Sequence, residues 1–122
     1  MAKKILIVAQ DSTIRLMVGI TLQMEDYEIF DAPDMAVAME KIGAGLRPDL
    51  ILNDYDLVMS RGGEFVRAVR QLSDFRFVPI LVFADETVLR RQVEWKEAGI
   101  TGWIPKPFTG RQLVEMVGLV IF

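Results

Sequence analysis

Five short apolar runs, each followed by a stretch with helical spacing, constrain this chain more than any other feature of its sequence. The runs occupy residues 4–9, 27–31, 49–53, 79–83 and 101–104 and are rich in β-branched, leucine or aromatic side chains, as strands are. Several are apolar at consecutive positions instead of alternating. That pattern belongs to strands buried on both faces, hence to a parallel sheet with helices on either side. Between the runs, Ser12 is placed to cap a helix carrying Ile14, Met17, Val18, Thr21 and Leu22 on one face. Asp34 opens a second helix with Val37, Ala38 and Ile42, stopped by Gly43 and Gly45. Phe65, Val66, Val69 and Leu72 mark a third, and Leu89 and Val93 a fourth. Thr109 opens a fifth, through Leu113, Val114, Val117 and Val120. The order is (βα)5, and right-handed crossovers with helices on both faces predict a doubly wound α/β sandwich. A length of 122 residues, 52% hydrophobic and 25% charged, suits one domain spanning residues 1–122, with no output module expected.

The residues that are missing narrow the chemistry. The chain has no histidine and no cysteine, which excludes ordinary zinc sites, cysteine nucleophiles, histidine-assisted triads and disulfides within it. A formal net charge of −3 argues against a nucleic-acid surface. The apolar run Ile5–Ala9 is too short for a secretion signal. No stretch approaches the roughly 18 apolar residues of a membrane span, so a cytoplasmic protein without membrane insertion is expected.

Ligands of open parallel sheets gather beyond the carboxyl ends of the strands. Those ends carry Gln10 and Asp11, then Asp54, then Ala84, Asp85 and Glu86, then Lys106, Pro107 and Phe108. Acids and one lysine therefore converge on one edge. A carboxylate is a competent nucleophile toward an activated phosphoryl group if a metal ion offsets the repulsion between anions. Mg2+ takes one or two protein carboxylates and keeps several waters. Asp11, Asp54 and the backbone carbonyl of Asp56 can supply the protein share, with Lys106 as a point charge on a phosphoryl oxygen. The plainer alternative is that Asp11 and Asp54 cap a helix and a loop while Lys106 pairs with them.

Three segments, Lys4–Ser12, Pro48–Asp54 and Gly102–Phe108, carry a resemblance over nearly the whole chain. With them the sequence resembles response-regulator receiver domains, most of all the stand-alone members similar to CheY. The resemblance implies a five-stranded parallel sheet of order 2-1-3-4-5. It also implies phosphorylation of Asp54 by a partner histidine kinase, Mg2+ or Mn2+ as cofactor, and two-component signalling of the chemotaxis kind. Beyond self-catalysed phosphotransfer and autodephosphorylation it implies no enzyme. Trp103 matches the aromatic switch position of that family, or else is constant packing beside Ala84. The Lys106–Pro107 bond is expected to be cis.

The sequence departs from the family pattern where it matters. Gln10 stands where a second acid is usual, which predicts weaker Mg2+ binding with the amide acting through a water. Ala84 stands where a serine or threonine usually bonds the phosphoryl group. Hydrogen bonds to charged groups are worth roughly 1.5–3 kcal/mol, so this loss costs about one to two decades in the switching ratio. Thr87 either substitutes for that hydroxyl or caps the fourth helix. Arg61, in the loop Leu57–Gly63, either reaches a phosphoryl oxygen or is solvated. Asp56 and Glu86 match positions that flank the path of the hydrolytic water. The fourth helix, fifth strand and fifth helix form the output surface implied by the resemblance, for a target protein or a homodimer; Trp95, Trp103 and the uncharged tail Val117–Phe122 lie on it. The rival reading is a degenerate receiver acting as a phosphorylation-independent interaction module. A flavodoxin-like cofactor binder is disfavoured because no glycine loop follows the first strand.

Overall fold

The computed structural model describes residues 2–54, 64–85 and 99–121. In chain order it contains β1 (Lys4–Val8), α1 (Ser12–Gln23), β2 (Glu28–Ala32), α2 (Met35–Gly43), β3 (Leu50–Asp54) and α3 (Glu64–Gln71). A short 3-10 turn (Ser73–Phe75), β4 (Ile80–Ala84), β5 (Gly102–Pro105) and α4 (Gly110–Val120) follow. The five strands are all parallel, in the order β2-β1-β3-β4-β5. The helix expected through Leu89 and Val93 lies outside the described residues, as do Trp95 and Phe122.

The consecutive apolar residues of the strands are divided between two cores by the pleat. Leu6, Val8, Ile51, Ile80, Val82 and Ala84 face α2 and α3, where Ala38, Ile42, Phe65, Val66 and Val69 are buried. Ile5, Ile7, Leu50, Leu52, Leu81 and Phe83 face α1 and α4, where Val18, Leu22, Leu113 and Val117 are buried. Every one of these strand residues is at most 1% exposed, so the sheet is covered on both sides as predicted.

Several local expectations are corrected. The first strand ends at Val8, and the other four start and end one residue later than the apolar runs. Entry residues are used otherwise: the Asp49 carboxylate accepts from Lys4 N at 2.8 Å, and the Thr101 hydroxyl accepts from Ile80 N at 2.9 Å. The N-cap of α1 is Asp11, not Ser12. Asp11 is extended (φ −73, ψ 115) and its side chain accepts from Thr13 N and Ile14 N. The buried face of α1 runs through Val18, Gly19 and Leu22, while Met17 is 63% exposed. Leu72 falls beyond α3 and is exposed. Asp34 and Thr109 cap their helices as expected, Thr109 in a reciprocal capping box with Gln112. Gly45 holds the left-handed conformation after α2 (φ 111) that a side chain would resist.

Candidate functional site at the carboxyl edge of the sheet

The pleat that buries Leu50 and Leu52 brings Asp54 to the same side at the last position of β3, where strand order reverses beside β1. Its neighbour across the ladder is Phe83 of β4. Lys106 reaches this point because β5 continues its pairing one residue past the strand: Lys106 N donates to Ala84 O at 2.8 Å. The Lys106–Pro107 bond is cis. Phe108 then stacks on Phe83, with ring centroids 5.1 Å apart and an interplanar angle of 17°. Held at both ends, the Lys106 ammonium donates to Asp54 Oδ2 at 2.8 Å. The Asp54 side chain is 16% exposed and that of Lys106 33%, so the pair opens to solvent on one side.

Asp11 lies three residues beyond β1 as the N-cap of α1, exposed, with Oδ1 accepting from Thr13 N at 2.8 Å. Gln10 is exposed beside it. A divalent cation at this edge would be held by Asp11 and Asp54. Mg2+ takes one or two protein carboxylates while it keeps several waters, and the Asp54 carboxylate at the end of β3 fits that share. No group of three or more potential acidic, histidine or cysteine ligands forms among the described residues.

Ala84 is 1% exposed, its methyl directed into the core on the α2 and α3 side. Trp103 is half-buried against the same core. The register sets Trp103 beside Val82, and Pro105 beside Ala84. Asp56, Arg61, Glu86 and Thr87 lie outside the described residues.

Two contributors escaped the sequence reading. Arg15 Nη1 donates to the carbonyl oxygens of Ala9 at 2.6 Å and Gln10 at 3.1 Å, and its Nε lies 3.4 Å from Asp31 Oδ2. A basic residue in the first turn of a helix, against the macrodipole, was the available signal. Asn53, the residue before Asp54, is fully buried, and neither Nδ2 nor Oδ1 has a hydrogen-bond partner among the described residues. A lone amide at the end of an apolar strand marked it.

On the β5 and α4 side, Leu119 is 70% exposed, whereas Val117 is buried. A shallow apolar groove runs between Ile104, Pro105, Pro107, Phe108, Met116 and Leu119. No helix among the described residues is long and apolar enough to cross a membrane.

Comparison with known proteins agrees with this geometry. Residues 5–118 match the response regulator receiver domain family. The chemotaxis protein CheY1 of Helicobacter pylori is 29% identical over 119 residues, covering 97% of this chain and 96% of that protein. The phosphate regulon transcriptional regulatory protein PhoB of Pseudomonas aeruginosa is 31% identical, over 98% of this chain and 52% of that protein. Among solved structures, the chemotaxis response regulator CheY4 of Vibrio cholerae superposes with a TM-score of 0.90 at 37% identity, covering 99% of this chain and all of that one.

Proposed function

The chain belongs to the response regulator receiver domain family of two-component signalling, and on that premise we propose that Asp54 accepts a phosphoryl group from a phosphohistidine of a partner kinase. The observation that carries the proposal is the Lys106 ammonium held 2.8 Å from Asp54 Oδ2 at the carboxyl edge of the sheet. An Asp54 oxygen attacks phosphorus, the phosphorus–nitrogen bond breaks, and the imidazole leaves with the electron pair. The product is an acyl phosphate on Asp54. Lys106 exchanges its bond to the carboxylate for one to a phosphoryl oxygen, offsetting charge that builds there. Receiver domains of this family typically depend on Mg2+, which when bound supplies further neutralisation between the two anions. Later attack of water on phosphorus releases phosphate and regenerates the carboxylate. The donor histidine lies outside this sequence, which contains none.

The output is contact with a target protein through β5 and α4, where Leu119 and the adjoining groove offer apolar surface. Switching is weakened. The buried Ala84 methyl cannot hydrogen-bond a phosphoryl oxygen, so the modified state lacks one interaction that would distinguish it from the unmodified one. The same observation favours a second reading, a receiver that binds its target irrespective of phosphorylation.

Incubation with Mg2+ and acetyl phosphate, followed by intact mass measurement, tests the proposal. A single base-labile phosphoryl adduct that disappears in Asp54→Asn is expected. Absence of any adduct, also with a cognate kinase, overturns phosphoacceptance and leaves the second reading.

A further inference from the structure

A helix that covers a sheet turns a polar, usually charged face to water, and α1 departs from that rule. Every exposed position of α1 is uncharged: Ser12, Thr13, Leu16, Met17, Ile20 and Gln23. The other described helices all expose charge, with Glu40 on α2, Glu64 and Arg67 on α3, and Arg111 and Glu115 on α4. Leu16 and Met17 are 63% exposed, Ile20 50%, and the cap residue Met24 78%. These four side chains offer on the order of 500 Å² of apolar surface, a size at which patches on soluble proteins are often functional.

The spacing indicates what fits there. Thr13, Met17, Ile20 and Met24 follow at intervals of four, three and four residues, the spacing of a seam that packs on another helix. That series reads the same in both directions. Turned end for end by a two-fold axis, the seam meets itself, with Met17 facing Ile20 and Thr13 facing Met24 of a second copy. Thr21 Oγ1, on its border, donates to Met17 O at 2.8 Å, so that hydroxyl is already satisfied. Toward α4 the surface stays apolar through Ile14, Phe108 and Leu113. Charge chooses the direction. Arg111 and Glu25 stand at the Met24 end, and Asp11 caps the other. A parallel pair would set each of these against its own counterpart and align the two helix dipoles, whereas an antiparallel pair brings the Arg111 end of one copy to the Asp11 end of the other. A lipid surface matches poorly, because Glu25 and Asp26 stand at the rim where helices that lie on lipid carry lysine and arginine.

We propose that the exposed face of α1 is a self-association surface, on which a second copy of this chain packs antiparallel about a two-fold axis between Met17 and Ile20. The two faces together bury about 1,000 Å², below the standard size of a stable complex, so the dimer is weak and reversible. Leu119 lines the groove on the β5 side of α4, away from this seam, and is left open for a target.

Sedimentation equilibrium of the unphosphorylated full chain, from about 10 µM to about 1 mM, tests the proposal. The average mass of the wild type rises from one chain toward two over that range. Ile20→Glu weakens association by at least about tenfold, since each half of the seam then buries a carboxylate, and Met17→Lys does the same with an ammonium. Both positions are at least half exposed, so both variants fold, which urea unfolding at low protein concentration checks. An equimolar mixture of the two variants recovers association, because the antiparallel register sets the introduced carboxylate of one against the introduced ammonium of the other. Leu119→Asp associates within about twofold of the wild type. A wild type that stays monomeric at about 1 mM overturns the proposal. If Ile20→Glu then also loses phosphoryl transfer from a kinase while keeping its labelling by acetyl phosphate, the face serves a different protein. Association that persists in Ile20→Glu, a mixture that does not associate, or a loss of association in Leu119→Asp overturns it as well.

Discussion

Replacing Asn53 by leucine should stabilise the protein. Asn53 is fully buried, and both polar atoms of its amide lack a partner among the described residues. Its ladder neighbours are Val8 and Val82, both fully buried. An unsatisfied buried polar group costs about 1–3 kcal/mol, and replacing it by an apolar group of the same shape removes that cost. Leucine matches asparagine in branching and in number of heavy atoms, but its methyls are larger than the amide oxygen and nitrogen, so overpacking returns part of that gain. A net gain of about 1 kcal/mol is expected, which for a domain of this size raises Tm by about 4 °C. Urea unfolding followed by tryptophan fluorescence measures it, with the midpoint moving up and the m-value constant. Asn53→Asp provides the opposite sign, because burial disfavours the charged carboxylate and the variant loses stability as pH rises through its raised pKa. Acetyl phosphate labelling of Asp54 should persist in Asn53→Leu. A loss of about 1 kcal/mol or more in Asn53→Leu refutes the reasoning, since it would mean that the amide is hydrogen-bonded in solution.

Lys106→Met should slow labelling by acetyl phosphate about tenfold to a hundredfold, the worth of a hydrogen bond to a charged group, measured by intact mass against time. Ala84→Ser should enlarge the tryptophan fluorescence change that accompanies phosphorylation while leaving the labelling rate within about threefold, because the hydroxyl acts on the product state. Arg70 donates to the carbonyl oxygens of Gly99, Phe75 and Val78, and burial pushes its pKa below the ordinary value. Arg70→Met should cost about 2–4 kcal/mol in urea unfolding by leaving those carbonyls without this donor. Leu119→Asp should weaken target binding in a pull-down with the cognate partner while Asp54 labelling stays unchanged.

The fold was legible because its signal was redundant. Strands apolar at consecutive positions, helices with capping residues, and glycine after α2 all asked for the same covered parallel sheet. Asp54 and Lys106 were legible for a similar reason: a strand-end acid and a Lys-Pro-Phe run can meet only at the carboxyl edge. The finer errors have physical causes. Ser12 and Asp11 are both good caps, and only the backbone shows that Asp11 is the extended residue whose carboxylate reaches Thr13 N and Ile14 N. Counting apolar side chains put Met17 inward. The helix instead approaches the sheet through Gly19, where an added Cβ would sit 3.5 Å from Ile29 Cγ2, so the buried stripe is rotated toward a residue such counting ignores. Arg15 was missed because its hydrogen bonds go to backbone carbonyls, which leave no trace in side-chain patterns, and its ion partner Asp31 is sixteen residues away on β2.

The pleat suggests why phosphoryl acceptance and switching should separate in this protein. Asp54 continues the alternation of Leu50 and Leu52, on the side of α1 and α4, and Lys106 meets it there through the anchors at Ala84 O and Phe83. Ala84 continues Ile80 and Val82, on the side of α2 and α3, where Trp103 also packs. A hydroxyl at residue 84 would stand at the boundary, able to bond a phosphoryl group on one side while its own backbone moves the other. With a methyl there, no covalent change at Asp54 is tied by that bond to the packing of Trp103. Modification then shifts the Trp103 side only by what remains of its differential interaction, and a ligand or group with no difference between two states shifts nothing. The expected outcome is a protein that labels readily at Asp54 with a tryptophan spectrum that changes little. Ala84→Ser is the variant in which labelling and spectrum should move together. A wild-type spectrum that already changes fully on labelling would show that the two sides communicate by another route.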